Sequence, residues 1–252
     1  MPRTAFLMVF IAAFALTVRS AASENGKEKT MFEEDTIKTS AGDLNITFVG
    51  HGTVMFTLGD LVIHVDPVSA EADYTKMPKA DLILVTHEHF DHLDAKAIAA
   101  IRKEGTEILL SAKCAPSVPG ATVMKNGDTT TAKGLKITVV PAYNIAHKRP
   151  NGDPFHPKGV GNGYVITFGD TRVYVAGDTE NIPEMATLEN IAVAFLPMNL
   201  PYTMTPQMVA DAARSFRPRI LYPYHFGQTD TSELVRLLAG EEDIEVRVRK
   251  ME

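Results

Sequence analysis

Short apolar runs separated by glycine-containing turns begin at residue 44 and recur through the first half of the chain. These runs cover residues 44–49, 54–58, 61–65 and 82–85. Gly-His-Gly and Gly-Asp separate the earlier runs, which indicates hairpins. The run at 82–85 is apolar throughout, as in a strand that is covered on both faces. Residues 95–103 then predict a helix with Asp94 as its N-cap.

A second series of strands follows this helix and is again interrupted by helices. Its predicted strands are residues 107–110, 121–124, 135–140, 163–168, 171–176, 192–196, 220–222 and 244–248. The predicted helices are residues 205–216, with Thr205 as N-cap and Pro206 in the first turn, and residues 232–239. Many short strands with helices in both halves indicate an α+β fold, in which two sheets pack together with helices outside.

The stretch between residues 141 and 163 is rich in proline and glycine and predicts a long loop. Long loops in compact domains often carry functional residues, because they are positioned by the rigid elements on either side. We therefore regard this loop as a candidate contributor to a functional site.

The N-terminal residues predict a secretory signal peptide over residues 1–22. Arg3 is followed by an uncharged apolar stretch, residues 5–18, and small residues stand at the expected cleavage point. The apolar stretch is shorter than the roughly 20 residues that a membrane span requires. Arg19 directly after this stretch leaves an uncleaved anchor as the alternative.

The next segment, residues 23–41, is polar and charged and predicts a flexible lead-in. The folded domain is accordingly expected at residues 42–252. With the signal peptide removed, we expect the mature protein to be exported, either to the periplasm or into the medium, without a stable membrane span.

The charge balance bears on the class of partner. The 252-residue chain has a formal net charge of −6, and removal of residues 1–22 takes away Arg3 and Arg19 but no acidic residue. This acidity argues against a nucleic-acid partner, since phosphate binding uses clustered Lys and Arg. A small-molecule substrate is the expectation, and the oligomeric state is left open. The single cysteine, Cys114, excludes an intramolecular disulfide.

Three of the eight histidines fall within six residues directly after the 82–85 run. They are His87, His89 and His92, and Asp91 precedes the last of them. Imidazole nitrogens and carboxylate oxygens are zinc ligands, and a catalytic zinc keeps one position open for water. His87 and His89 point the same way on an extended chain, whereas Asp91 and His92 turn to the other side and suit a second metal. The segment therefore predicts a metal site at a strand end.

This segment resembles a known signature. Residues 86–94, Thr-His-Glu-His-Phe-Asp-His-Leu-Asp, resemble the His-x-His-x-Asp-His motif of the metallo-β-lactamase superfamily. Residues 49–52 and 64–67 are similar to the opening hairpins of its lactonase-like and phosphodiesterase-like branch. Residues 174–179 resemble the strand that delivers a bridging aspartate, and residues 222–226 resemble the segment with the last ligand histidine. The resemblance covers residues 42–250. It implies a four-layer αββα sandwich with a dinuclear site at one edge of the two sheets.

The resemblance also implies a ligand set. It assigns one metal to His87 and His89, the other to Asp91, His92 and His225, and a bridging position to Asp178. Asp178 and His225 each follow an apolar strand, so their side chains are expected to emerge at strand ends.

The sequence leaves open which residue is the third histidine ligand of the first metal. In several branches of the superfamily it follows a Pro-Ala pair, but here Pro-Ala-Tyr is followed by Asn144. His156, directly before the glycine-rich entry to the next strand, is the favoured candidate. His147 is the alternative, and if it is not a ligand it is a candidate for the substrate entrance.

Several other residues resemble supporting positions. His51 and Asp66 lie in the matched hairpins, and a carboxylate such as Asp66 can accept the free N–H of a ligand histidine and fix its ring. The long loop and its surroundings contain three cations that could contact an anionic group: Lys148, Arg149 and Lys158. The alternative for each is a solvent-exposed loop charge that contacts no ligand.

The implied chemistry is hydrolysis. Two metals that share a water lower its pKa and generate a bridging hydroxide nucleophile. We expect a zinc-dependent hydrolase with two ions, or manganese or iron in their place, acting on an ester, lactone or phosphodiester bond. Asp91 is also the catalytic candidate, because it can orient the water or carry its proton. The alternatives are a non-catalytic zinc-binding envelope protein and iron-dependent redox chemistry.

Overall fold

The computed structural model describes Met1 and residues 32–252 of the chain. Apart from Met1, the predicted signal peptide lies outside the described residues. Phe32–Glu252 packs as one unit. Within the described part of the chain, no helix is both long enough and apolar enough to cross a membrane.

Two seven-stranded sheets make up most of the structure. The first sheet contains, in spatial order, β1 (Glu33–Thr39), β2 (Gly42–Gly50), β3 (Thr53–Leu58), β4 (Leu61–Val65), β5 (Leu82–Val85), β6 (Glu107–Leu110) and β7 (Thr122–Val123). The second contains, from its opposite edge, β8 (Thr129–Ala132), β9 (Leu135–Ala142), β10 (Gly161–Phe168), β11 (Thr171–Val175), β12 (Ile191–Pro197), β13 (Ile220–Tyr224) and β14 (Glu245–Val246). The helices are α1 (Ala95–Ile101), α2 (Pro206–Phe216) and α3 (Thr231–Leu238), with 3-10 turns at Ala112–Ser117 and Pro183–Thr187.

Both sheets follow the same plan, one in each half of the chain. In the first, β1 to β4 pair antiparallel and the remaining neighbours, β4 to β7, pair parallel. In the second, β8 to β11 pair antiparallel and β11 to β14 pair parallel. Parallel neighbours need crossover connections, and α1, α2 and α3 lie in those connections. Among the described residues, the helices thereby lie in the parallel part of each half.

The main core lies between the sheets. The ring of Phe48 on β2 has its centroid 4.9 Å from that of Tyr222 on β13 and 6.2 Å from that of Phe195 on β12. Side chains of a strand alternate between faces, so Leu84 on β5 joins this core while Val85 packs in a second cluster with α1. The predicted α+β, four-layer αββα sandwich is confirmed.

The predicted flexible lead-in is wrong for residues 33–39, which form β1. This edge strand pairs antiparallel with β2, and its single buried apolar residue, Ile37, is opposite Leu44. Two residues before Ile37 on the same strand, Asp35 accepts hydrogen bonds from Arg249 at 2.8 and 2.7 Å. A strand with one buried apolar side chain shows no apolar alternation, so its polar composition resembled a loop.

Candidate metal centre

Four strand ends meet at one edge of the sandwich and carry the predicted site residues. β5 ends directly before the segment 86–94, and β13 ends directly before His225. β11 ends shortly before Asp178, and β9 leads into the long loop that contains His156. Because each strand is anchored in the core, these side chains are held rigidly although they are far apart in the sequence.

The first cluster brings together His87, His89, His156 and Asp178. His89 Nδ1 lies 3.1 Å from His87 Nε2 and 3.2 Å from His156 Nε2. Asp178 Oδ2 lies 3.1 Å from His156 Nε2 and 3.8 Å from His87 Nε2. Zinc–ligand bonds of about 2.0–2.1 Å correspond to tetrahedral edges of about 3.3 Å. The donor atoms are thus spaced as ligands of one small metal ion.

Hydrogen bonds behind this cluster determine which ring nitrogen of His87 carries the proton. The buried carboxylate of Asp66 accepts the backbone N–H of Thr86 at 2.7 Å and the Thr86 hydroxyl at 2.6 Å. Since the hydroxyl hydrogen is used there, the oxygen of Thr86 accepts from His87 Nδ1 at 3.0 Å. His87 therefore offers an unprotonated Nε2 to the cluster.

The second cluster consists of His92, His225 and Asp178. Asp66 Oδ2 accepts from His92 Nδ1 at 2.7 Å, so the neutral form of His92, the form that binds a metal, is unprotonated at Nε2. The Nε2 atoms of His92 and His225 lie 3.4 and 3.6 Å from Asp178 Oδ1. These three converging atoms are buried without a hydrogen-bond partner among the described residues.

Buried polar atoms without partners destabilise the folded state unless a ligand binds them. A buried polar atom without a partner costs about 1–3 kcal/mol, and a metal ion between the three atoms would satisfy all of them. Asp178 presents Oδ2 to the first cluster and Oδ1 to the second, so it can bridge two ions. The residues present therefore fit a pair of metal ions.

Asp91 faces the second cluster from the open side. Its Oδ2 lies 3.5 Å from His225 Nε2 and 3.3 Å from His51 Nε2, and the rings of His51 and His225 lie 3.7 Å apart. Burial raises the pKa of Asp91, but the close His225 and His51 rings outweigh it and hold the pKa well below its usual range. Asp91 is consequently an ionised acceptor beside the metal residues.

The histidines of the first cluster are suited to act as neutral ligands. Burial lowers the pKa of His87 well below 6.5, and the positive charge that a neighbouring His92 can carry lowers it further. Burial also lowers the pKa of His89. A lower pKa keeps the lone pairs of these imidazoles free at neutral pH, as metal binding requires.

The structure brings His156 into the first cluster and places His147 elsewhere. His147 Nδ1 lies 2.9 Å from Glu180 Oε1, and within residues 32–252 His147 belongs to none of the candidate ligand groups. Asn144 contacts His156 from behind, with Oδ1 at 2.6 Å from His156 Nδ1. The sequence alone did not reveal that Thr86, Asn144 and Glu180 support the ligand histidines through hydrogen bonds, because no local pattern marks them.

A cleft of about 850 Å³ opens onto both clusters. One wall is aromatic: the Phe155 and Tyr202 rings meet edge-on with centroids 5.1 Å apart, and the Arg149 guanidinium lies 5.2 Å from the Phe155 centroid. Phe90 on the rim is 87% exposed. An open, largely apolar cleft over buried metal residues is the arrangement of a small-molecule site.

The loop cations considered from the sequence have different positions. Arg149 lines the cleft. Lys158 instead pairs with Glu184 at 2.8 Å and donates to the Tyr143 hydroxyl at 3.1 Å. Lys148 is exposed and pairs through its backbone with residue 154. Arg149 is thus the one of the three that a substrate in the cleft would meet.

Gly52 packs against the second cluster, and this contact is testable. A Cβ at Gly52 would lie 2.6 Å from His92 Cε1 and 3.4 Å from His225 Cδ2. Gly52→Ala is therefore expected to displace His92 and to weaken zinc binding at that cluster by about tenfold or more. Zinc titration against a competing chelator measures the change. The matched control is Gly240→Ala, where a Cβ meets no atom within 4 Å; equal zinc affinities of the two variants would contradict the expectation.

Comparison with known proteins agrees with this architecture. A sequence model of the beta-lactamase superfamily domain matches residues 45–225. A UPF0173 metal-dependent hydrolase of Methanopyrus kandleri is 30% identical over 196 residues, which cover 73% of this chain and 84% of that protein.

Two solved structures are similar over most of the chain. A candidate metal-dependent hydrolase from Parabacteroides distasonis is 50% identical with a TM-score of 0.84, and the match covers 88% of this chain and 100% of that one. Igni18, a metallo hydrolase from Ignicoccus hospitalis, is 25% identical with a TM-score of 0.67, covering 82% and 95%. The family match extends from β2 to His225 and so includes every residue of both clusters. The chain therefore belongs to the beta-lactamase superfamily and has the metallo-β-lactamase fold.

Proposed function

We propose that this protein is a metal-dependent hydrolase that binds two zinc ions and cleaves an ester or lactone bond in a small molecule. The observation that carries the proposal is the convergence of buried imidazole nitrogens on the two oxygens of Asp178, at the floor of an open cleft. Relatives described as metal-dependent hydrolases support it.

The proposed ligands divide between the two clusters. His87, His89 and His156 hold one ion, Asp91, His92 and His225 hold the other, and Asp178 bridges them. Nitrogen and carboxylate donors in this number suit zinc, and they also suit manganese or iron. The choice of zinc is therefore a proposal that metal analysis decides.

The protein supplies the geometry for hydrolysis. Metal ions in such a site lower the pKa of a bound water and polarise the oxygen of the scissile group. Asp91, ionised and facing the cleft, accepts a hydrogen bond from the attacking water and orients it. His51, 3.3 Å from Asp91 Oδ2, holds that carboxylate in place. The aromatic wall formed by Phe155 and Tyr202 positions the apolar part of the substrate and excludes water from it.

The lining of the cleft favours an uncharged acyl group. Val68, Ala70 and the aromatic wall are apolar, and Glu71 is an acidic residue on the same surface. An anionic substrate would be repelled by that carboxylate. A phosphodiester is the second candidate, because Arg149 lines the cleft and can contact a phosphate oxygen.

The test is metal analysis of the purified protein together with a substrate panel. The panel contains an aryl ester, a simple lactone and bis-nitrophenyl phosphate, each assayed with the zinc, manganese and iron forms. We expect two zinc ions per chain and the highest kcat/KM for the ester or lactone. Two bound ions without turnover of any substrate would favour the non-catalytic zinc-binding alternative, and absence of bound metal would overturn the proposal.

The site of action is a separate proposal. The apolar N-terminal stretch supports export, so we propose that the hydrolase acts in the periplasm or outside the cell. Cell fractionation with an antibody to the folded domain tests this, and a protein found wholly in the cytoplasm would refute it.

A further inference from the structure

Glu180 is a buried carboxylate that the proposed hydrolysis does not use. It is 0% exposed and lies directly beneath the start of the long loop. It accepts the backbone N–H groups of Ile145, Ala146 and His147 at 2.8, 2.7 and 2.6 Å. A buried charge is retained only where it is fully hydrogen-bonded, so this carboxylate fixes the backbone of residues 145–147.

The same carboxylate determines the orientation of Asn144. The Asn144 Nδ2 group donates to Glu180 Oε1 at 3.0 Å and to the backbone oxygen of Tyr202 at 2.9 Å. Both partners can only accept, so the nitrogen of the amide must face them. The oxygen, Oδ1, must then face His156, where it accepts the backbone N–H at 2.9 Å.

This orientation sets the tautomer of His156. Asn144 Oδ1 lies 2.6 Å from His156 Nδ1 and can only accept, so Nδ1 carries the hydrogen. The neutral ring is then unprotonated at Nε2, the atom that lies 3.1 Å from Asp178 Oδ2 and 3.2 Å from His89 Nδ1. A chain of contacts therefore runs from Glu180 through Asn144 to the metal-facing nitrogen of His156.

We propose that Asn144 and Glu180 form a positioning pair that prepares His156 to bind the metal of the first cluster and holds the aromatic wall of the cleft beside it. The link to the wall is the bond from Asn144 to the backbone of Tyr202, whose ring packs on Phe155. The pair touches neither metal nor substrate, and the proposal rests on the metal-dependent function proposed above.

The first test uses the metal-free wild-type protein and needs no perturbing variant. Long-range proton–nitrogen NMR spectra at pH 8 report the tautomer of each histidine, and a His156→Gln variant assigns the relevant signal. We expect His156 to carry its hydrogen on Nδ1. The opposite tautomer would overturn the proposal, whether or not the protein is an active hydrolase.

The second test is zinc affinity, measured by competition with a chelator. Asn144→Ala removes the acceptor from His156 Nδ1, and loss of such a partner weakens metal binding by about 10–100-fold. We expect that loss for one ion and little change for the other, together with a higher KM because the wall is released. The control is Asn45→Ala, at the β1–β2 edge, where the side-chain oxygen accepts from Thr36 at 2.7 Å.

Comparing the two clusters separates positioning from simple stability. In Asn144→Ala, we expect the His156 tautomer signal and the zinc affinity of the first cluster to change, while the zinc affinity of the second cluster stays close to that of the wild type. Wild-type zinc affinity in Asn144→Ala would refute the pair. If the wild-type protein bound no metal, the proposed function would be refuted. The tautomer measurement would still test whether Glu180 and Asn144 orient His156.

Discussion

Replacing Asp178 by asparagine is expected to remove tight binding of both metal ions and to reduce kcat/KM about a thousandfold or more. The substitution keeps the size and shape of the side chain but removes its charge. Its NH2 group would replace the carboxylate oxygen that faces either His156 or the His92 and His225 pair, and would donate there to an imidazole nitrogen whose lone pair the metal needs. Both clusters are affected, since each uses one oxygen of Asp178.

The magnitude follows from the chemistry of the ions. A metal ion contributes several kcal/mol of transition-state stabilisation, and each 1.36 kcal/mol corresponds to about tenfold in rate. Metal content by mass spectrometry and hydrolysis of the preferred panel substrate measure the two effects. Asp60→Asn is the matched control, because Asp60 is exposed in the β3–β4 turn. Full metal content with wild-type turnover in Asp178→Asn would exclude the bridging role.

Removing the metals with a chelator is expected to lower the melting temperature by about 5–10 °C for each tightly bound ion. A ligand present at a hundred times its Kd stabilises the folded state by about 2.7 kcal/mol. For a domain of this size, 1 kcal/mol shifts the melting temperature by about 2–4 °C. Within residues 32–252, ring nitrogens of His92 and His225 are buried without a hydrogen-bond partner, and leaving them so in the metal-free protein lowers the free energy of unfolding further.

Differential scanning calorimetry with and without chelator gives the shift, and added zinc should restore the original value. The Asp178→Asn protein serves as the control, since a protein that binds metal poorly should respond little to the chelator. A wild-type melting temperature that is unchanged by complete metal removal would show that the clusters do not hold stabilising ions.

The sequence predicted the parts of the site that are local. His87 to His92 follow a continuously apolar strand, and the spacing of their side chains alone indicated metal binding. Asp178 and His225 became candidates through the resemblance to the superfamily, and their positions just past strand ends agree with it. The layered fold was predictable because apolar runs and turns repeat in both halves of the chain.

The remaining parts depend on contacts between segments distant in sequence. The support given by Glu180 to Asn144 joins residues 36 positions apart and leaves no periodic signal. The strand β8, Thr129–Ala132, consists of three threonines and one alanine and pairs with β9. Like β1, it lies at a sheet edge, where one-sided burial requires few apolar residues, so apolar patterning could not identify it.

Each sheet of the duplicated fold carries only part of the candidate metal site. The first sheet and its loops supply His87, His89, Asp91 and His92, whereas the second supplies His156, Asp178 and His225. Neither half of the chain contains all the proposed ligands of either proposed ion. Under the proposed function, a folding intermediate with only one sheet formed would release metal readily, and stable retention of metal would report that both halves have docked.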